Sequence, residues 1–361
     1  MKALVIGGTG PTGPYLVEGL QQRGYDVTVL HRGTHEVPLP GEVEHIHTDP
    51  HFAETISEAV AGRTYDLVLA TYGRLRLFVD VLKDVTDRLI TIGATAYAPR
   101  MSQAATETSP RLLTNTLVQK IVATEDVLMK AHADGLYNVT HYRYPNLFGP
   151  RQLAPREWSI IRRIRDGRPW IPVIDGGLTL ESRSYVENAA HAVLLGVDKP
   201  TESAGEAYNV NDDWTPSDAD RVAAIAEHMG ADVALLNLPR DVGRPAYFVG
   251  IGRDLSFSRE KRAPHTAHSL LDNTKMHRQL GYVDPVPFSD AIARTVDWLM
   301  ANQPEPGGEV ERQLADPFDY AAEDRFKAVL DEFTTAAATI PFADIEYVHQ
   351  YDHPTKPVGT P

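Results

Sequence analysis

Lys2-Ala3-Leu4-Val5-Ile6-Gly7-Gly8-Thr9-Gly10-Pro11-Thr12-Gly13-Pro14-Tyr15-Leu16-Val17-Glu18-Gly19-Leu20 is the stretch whose reading decides the fold. A short apolar run with β-branched members, stopped at once by glycine, predicts a buried parallel strand. Apolar residues at helical spacing follow the glycines and predict a helix. A second strand, Asp26 to Leu30, ends in His31-Arg32-Gly33. Strand, glycine turn, helix and strand together form a βαβ unit of the kind that binds dinucleotides. Gly7 permits the tight turn, Gly10 lets the backbone approach a pyrophosphate, and Gly13 allows close packing behind it. The helix N-terminus then offers unpaired N–H groups to the phosphates.

Working outward, Val43–His47 predicts a third strand, Tyr65–Ala70 a fourth, Arg88–Gly93 a fifth and Tyr137–Arg143 a sixth. Helical patterns at Phe52–Ala61, Leu75–Val85 and Asn115–Ala133 separate them. Strands alternating with helices predict an α/β, doubly wound parallel sheet, which binds ligands at the carboxyl ends of its strands. Thr48-Asp49 and Ala70-Thr71-Tyr72-Gly73 fall at that edge. Beyond Pro150 the chain changes character. Trp158–Asp166 reads as a basic amphipathic helix, and proline and glycine then break the chain through Gly177. Asp319–Thr339 predicts one more amphipathic helix, with Phe326, Val329, Leu330 and Phe333 on one face. The segment Phe342–Pro361, rich in aromatics, His and Pro, reads as an arm packed on the body or on a second subunit.

Composition narrows the function. The 361 residues carry a formal charge of −14 and no cysteine. Acidity argues against general nucleic-acid affinity. The missing thiols remove disulfides, thiolate catalysis and cysteine metal sites. No signal peptide or membrane-length apolar run is visible, so a cytoplasmic protein without a membrane partner is expected. His45-x-His47 would share one strand face, but no third ligand is evident. His349 and His353, four apart in the tail, stand next to Pro354. Neither pair predicts a metal.

Several of these segments carry a resemblance. The G-x-x-G-x-x-G spacing is similar to that of the extended short-chain dehydrogenase/reductases, the sugar epimerase/dehydratase type. Arg143-Tyr144-Pro145-Asn146-Leu147-Phe148-Gly149-Pro150 resembles the R-x-x-N-V-Y-G-P signature of that family, and Arg183-Ser184-Tyr185-Val186-Glu187-Asn188 its R-D-F/Y-V-x-D segment. Leu271–Lys275 and Leu280-Gly281-Tyr282 resemble its late D-x-S-K…L-G-W/Y segment, so the likeness spans about residues 1–302. It implies a Rossmann-type NADP-binding domain over 1–150, to which segments near 178–215 return. It also implies a smaller substrate domain from 151–177 and 216–302, with a C-terminal helix and arm over 303–361.

The resemblance also implies a cofactor site. Gly7, Thr9, Gly10, Pro11, Thr12 and Gly13 would form the phosphate turn. His31, Arg32, Asp49, Ala70 and Thr71 would line the adenosine end, and Lys120, Tyr144, Asn146 and Leu147 the nicotinamide end. The end of the second strand has no carboxylate until Glu36, and an arginine suits a 2′-phosphate, so NADP(H) is expected over NAD(H). Arg183 and Tyr185 would face a small carbonyl or hydroxyl substrate, sugar-like or aromatic. Helices Leu75–Val85 and Asn115–Ala133 occupy the family's dimer positions and imply a homodimer.

The family's catalytic groups are altered. Where it has Tyr-x-x-x-Lys, this chain reads Thr116-Leu117-Val118-Gln119-Lys120, and its catalytic serine falls on Gly93. Hydride transfer at a carbon bearing oxygen needs a matched proton transfer, so another donor is required. Lys120, Tyr97, Thr95, Thr116 and Tyr72 are the candidates, with His141, Tyr142 and Tyr144 flanking the sixth strand. Isoflavone-reductase-like proteins rely on a lysine without that tyrosine. Chloroplast stem-loop-binding proteins are similar in having a degraded extended fold with an arginine after the second strand. The alternatives are therefore a degenerate NADP-binding regulatory or scaffold protein, or a non-redox lyase or isomerase.

Overall fold

The computed structural model describes residues 1–97, 103–113, 116–239, 268–314 and 316–351. Eleven strands occur among them: β1 (Lys2–Ile6), β2 (Asp26–His31), β3 (Glu44–His47), β4 (Leu67–Ala70), β5 (Arg88–Ala94), β6 (Asn138–Tyr144), β7 (Asn146–Phe148), β8 (Trp170–Ile174), β9 (Arg183–Tyr185), β10 (Glu206–Asn209) and β11 (Ala234–Leu238). The helices are α1 (Gly13–Gln22), α2 (Ala53–Val60), α3 (Leu75–Val81), α4 (Thr116–Ala133), α5 (Glu157–Arg165), α6 (Val186–Asp198), α7 (Asp218–His228), α8 (Thr274–Leu280), α9 (Phe288–Ala301), α10 (Glu309–Leu314) and α11 (Tyr320–Ala337). The helix start expected at Asn115 lies outside the described residues.

Seven strands form one parallel sheet in the order β10-β6-β5-β4-β1-β2-β3. The order reverses beside β1, which opens a crevice at the carboxyl ends of β1 and β4. Alternation along each strand supplies two buried faces. Val5, Val29 and Leu69 pack with Leu16 and Leu20 of α1 and Leu194 of α6. Leu4, Ile6, Leu30 and Val68 pack with Ile56, Phe78 and Leu128 on the other side. Each fully buried leucine or isoleucine contributes ~1.5–3 kcal/mol, and this double layer fixes the strand ends that carry the site.

The chain returns to this sheet after Gly177. Helix α6 lies against α1, where Gly19 is needed because a Cβ would collide with Leu194. Strand β10 then pairs with β6, and Tyr208 stacks on Tyr142 with ring centroids 5.6 Å apart. A smaller lobe holds the parallel pair β8–β11, packed against α5 and α7, and a third pair joins β7 to β9. Trp170–Ile174 was expected to be a broken segment but is a strand. Pro172 is tolerated because a two-stranded ribbon leaves one side of each strand unpaired.

Residues 1–318 form one compact unit and the chain from Asp319 a second. The first unit is fastened late by a buried ion pair and a buried hydrogen bond: Arg163 donates to Asp316 at 2.7 and 3.0 Å with both side chains fully buried, and Trp158 Nε1 donates to Glu311 at 3.0 Å. In the second unit, Asp319 caps α11 by accepting from the Ala322 N–H at 3.0 Å. Phe326 and Leu330 are half-buried, but Val329 and Phe333 on the same expected face are exposed, as are Phe342, Ile345 and Tyr347. Part of the segment expected as a packed arm, through Tyr351, is therefore exposed, and the remainder lies outside the described residues. Among the described residues, no helix is long and apolar enough to cross a membrane.

Candidate functional site

The turn between β1 and α1 separates its glycines by the reason for each. Gly7 has φ +108°, and a Cβ there would overlap the Thr71 hydroxyl. That hydroxyl accepts from the Gly8 N–H at 3.4 Å and donates to the Ile6 carbonyl at 3.2 Å, so Thr71 braces the turn from β4. A Cβ on Gly13 would overlap the Gly8 carbonyl. Gly10 differs: its φ is not positive, and a Cβ would meet no atom within 4 Å. Nothing in the protein's own packing demands glycine there, while close approach by a ligand does. Thr12 precedes α1 without capping it through its side chain; the Gly13 N–H donates to the Gly10 carbonyl at 3.0 Å and Pro14 has no N–H, so in the first turn the Tyr15 N–H is the group placed to meet an anion. This cradle fits a dinucleotide pyrophosphate. Thr9 and Pro11 are half-buried on its rim.

At the ends of β2 and β3, Arg32 is exposed and has no ion pair among the described residues. Its guanidinium lies 5.4 Å from the centroid of the Tyr72 ring, which meets His51 edge-on at 5.0 Å. Asp49 accepts from His51 at 2.7 Å, and that bond, against a small burial cost, holds its carboxyl below the usual range. Tyr72 was expected among the proton donors, but it turns toward β2 and stands beside Arg32. Ala70 is fully buried and presents only backbone. His31 is buried at the sheet edge: its Nδ1 accepts from the Gly33 N–H at 3.2 Å, and its Nε2 lies 2.8 Å from His45 Nδ1. Its ring thus turns toward β3.

Strands β5 and β6 place Gly93 beside His141. A Cβ on Gly93 would lie 2.7 Å from both Cε1 and Nε2 of His141. An imidazole therefore fills the space beside Gly93, where the resemblance implies a serine side chain. His141 is wholly buried and lies 2.7 Å from Thr91 Oγ1 through Nδ1, while its Nε2 sits 3.6 Å from Glu125 Oε2. A proton on Nε2 facing that carboxylate, with Thr91 donating to Nδ1, is the tautomer the surrounding charges favour. Burial pushes His141 down to about 4; Glu125 opposes this, and Arg143 and Arg111 add to it.

Glu125 accepts Arg143 Nε at 2.9 Å and Arg111 at 3.1 Å through each oxygen. Tyr97 lies between those arginines. Its hydroxyl donates to Asn209 at 2.5 Å and accepts from Arg143. Burial raises its pKa despite the arginines. This phenol is committed to a structural network, which corrects its expected role as a free donor. Tyr144 is likewise engaged, donating to the Ala189 carbonyl at 3.0 Å on the opposite sheet face, and Tyr142 is fully buried. Thr95 is half-buried, with its N–H on the Tyr144 carbonyl.

Thr116 and Lys120 are exposed. Val118 and Glu125 face the sheet from α4, and Lys120 stands about 200° around the helix from Val118. Lys120 is therefore outside the buried cluster.

Asn146 donates to Glu181 at 2.7 Å, and the Leu147 carbonyl accepts from Gln152 at 2.9 Å. Arg183 is fully enclosed and neutralised, donating to Glu181 at 2.9 Å and Glu157 at 3.0 Å. Tyr185 is core, packed on Phe148 with centroids 5.5 Å apart. Neither is an open substrate contact, because two glutamates and an aromatic wall occupy them. Arg221, which sequence reasoning missed, is a buried cation of this lobe that faces the Phe148 and Phe288 rings at 5.5 and 5.7 Å. Its Nη2 donates to the Glu181 carbonyl at 3.4 Å, its Nε and Nη1 have no hydrogen-bond partner among the described residues, and burial with the nearby Arg183 lowers it to about 9. It lines a cavity of about 30 Å³ with Arg156, Glu157, Arg183 and Asp218 over Ile171 and Val173. One arginine on an amphipathic helix reads as solvated, so no pattern in the chain singles it out.

No family model matches the chain. The dTDP-glucose 4,6-dehydratase of Actinoplanes sp. is 26% identical over 162 residues, covering 45% of this chain and 43% of that protein. UDP-D-apiose/UDP-D-xylose synthase of Oryza sativa subsp. japonica is 26% identical over 177 residues, covering 47% and 40%. The 41 kDa chloroplast stem-loop binding protein b of Arabidopsis thaliana is 23% identical over 234 residues, covering 58% of each. The first two matches span less than half of their relatives' length. Among solved structures, DesIV of Streptomyces venezuelae, a dTDP-glucose 4,6-dehydratase with NAD bound, superposes with TM-score 0.65 at 20% identity, covering 84% of this chain and 98% of that one. The chain is thus similar in fold to a dTDP-glucose 4,6-dehydratase, at low sequence identity. UDP-glucuronic acid 4-epimerase of Bacillus cereus, in complex with NAD, shares the fold with TM-score 0.66 at 16% identity, over 84% and 100%. The seven-stranded sheet is that of these epimerases and dehydratases.

Proposed function

We propose that this chain is an NADP(H)-dependent oxidoreductase or epimerase acting on a sugar-like carbonyl or hydroxyl compound. The observation that carries the reading is the phosphate turn: Gly10 opens onto space the protein leaves empty, and Arg32 lies beyond the second strand where a carboxylate would select NAD. Gly7 to Gly13 would hold the pyrophosphate, Arg32 over Tyr72 the 2′-phosphate, and Asp49 the adenine. Bound there, the cofactor would accept or donate the hydride. Relatives named for nucleotide sugars support a substrate of that class, whose anionic part Arg221 would meet. With the hydroxyls of Tyr97 and Tyr144 hydrogen-bonded elsewhere, Tyr142 enclosed in the core and the Tyr72 ring beside Arg32, the proton would pass through Thr95 or through Lys120 and Thr116. Leu117 and Val127 leave apolar surface exposed on α4, which supports a homodimer through this helix; a monomer in sedimentation at micromolar concentration would remove that part.

The test is conversion of a panel of nucleoside-diphosphate sugars with NADP⁺, followed by NMR for epimers and keto products. Conversion that falls about 100-fold in Lys120→Ala supports the reading. Tight cofactor binding without any conversion would instead favour a degenerate NADP-binding regulatory or scaffold protein, a reading supported by the imidazole that fills the serine position at Gly93.

A further inference from the structure

Three histidines and a glutamate converge at the open edge of the sheet. His31 ends β2, and His45 and His47 stand two apart on β3, where His47 is the register partner of His31. Parallel pairing places all three on one face. Glu36 comes from the loop between these strands. One donor atom from each of the four lies within 4.8 Å of every other. His31 Nε2 is 2.8 Å from His45 Nδ1, and His47 Nε2 is 3.3 Å from Glu36 Oε1. The ring centroids are 4.8 to 6.1 Å apart. In a tetrahedral zinc site with bonds near 2.0–2.1 Å, neighbouring donors stand roughly 3.4 Å apart. The set brackets that separation and needs side-chain adjustment only.

We infer that His31, Glu36, His45 and His47 form a binding site for a divalent transition-metal ion of the zinc type. Three imidazoles and one carboxylate suit zinc and its neighbours and are poor for magnesium or calcium, which take all-oxygen shells. Four protein donors make a closed, structural site. His31 is the buried floor, and the other three are an exposed rim through which the ion enters. Without metal, His31 carries its proton on Nε2, because Nδ1 accepts from Gly33. With metal on Nε2, that proton resides on Nδ1, and the long Gly33 contact is given up. Glu36 then ties the Arg32–Val43 loop to the sheet edge. The site stands on these four residues whether or not a dinucleotide binds nearby.

The experiment is titration of the purified full chain with Zn²⁺ against a chromophoric chelator, with Mg²⁺ and Ca²⁺ in parallel. About one equivalent of Zn²⁺ should bind tightly and raise the thermal midpoint, with no effect of Mg²⁺ or Ca²⁺. Co²⁺ should give the intense visible bands of tetrahedral coordination. His47→Ala and Glu36→Gln should each weaken Zn²⁺ roughly tenfold or more. Glu36 lies in an exposed loop, so its variant carries the test if His47→Ala fails to fold. Absence of stoichiometric Zn²⁺ binding, octahedral Co²⁺ bands, or binding unchanged in Glu36→Gln would overturn the assignment.

Discussion

Gly93 is a glycine because an imidazole stands where its side chain would go. A Cβ there would be 2.7 Å from two ring atoms of His141. Gly93→Ser should therefore destabilise the fold by about 1–3 kcal/mol through overpacking. Pairing it with His141→Ala should cost less than the two changes summed, by more than ~0.5 kcal/mol in a urea-unfolding cycle; strict additivity would separate the two positions. His141 also sets an acid limit. Burial pushes its pKa down to about 4, whereas the unfolded chain takes a proton there near pH 6.5. Stability from this group is complete above about 6.5 and is lost as the pH falls toward 4, by up to roughly 3 kcal/mol. Glu125 acts in the same direction lower down: burial disfavours its charge, but Arg143, His141 and Arg111 outweigh that and hold it at about 2. Urea midpoints between pH 6.5 and 4 should fall in the wild type and run flatter in His141→Phe.

At the scale of elements, the unit from β1 to β2 contains its own test. Gly13→Ala drives a methyl into the Gly8 carbonyl, which is backbone and cannot swing aside, whereas Gly10→Ala meets nothing. Gly13→Ala should lower the thermal midpoint, and Gly10→Ala should leave it within the range of a neutral surface change while weakening NADPH binding. Equal effects on stability would show that the turn is only structural. This unit was legible because its strand, glycines and helix are contiguous. The small sheet was not: β8 and β11 are separated by 59 intervening residues, and Pro172 disguises β8. The committed state of Tyr97 was also hidden, because its partners Asn209 and Arg143 arrive from distant strands. The histidine cluster escaped for the same reason. His45 and His47 were visible as a pair, but His31 comes from a neighbouring strand and Glu36 from a loop.

For the whole molecule, the smaller lobe depends on charges buried far along the chain. Arg163 and Asp316, 153 residues apart, are both fully enclosed. Asp316→Ala leaves a buried guanidinium without its carboxylate and should cost about 3–5 kcal/mol, while Arg163→Met with Asp316→Leu should come much closer to the wild type. Denaturant midpoints of the three proteins check this. The fold of the body was legible over most of its length, yet the chemistry was not, since Thr116 and Gly93 stand where the resemblance implies proton-transfer groups and any replacement depends on side-chain direction. The central claim is therefore the dinucleotide site itself. Parallel titration of the wild-type chain with NADPH and NADH, followed by nicotinamide fluorescence and repeated on Arg32→Ala, tests it most directly. Saturable NADPH binding, weaker NADH binding and loss of that preference in the variant are the expected result; no saturable binding of either nucleotide would contradict it.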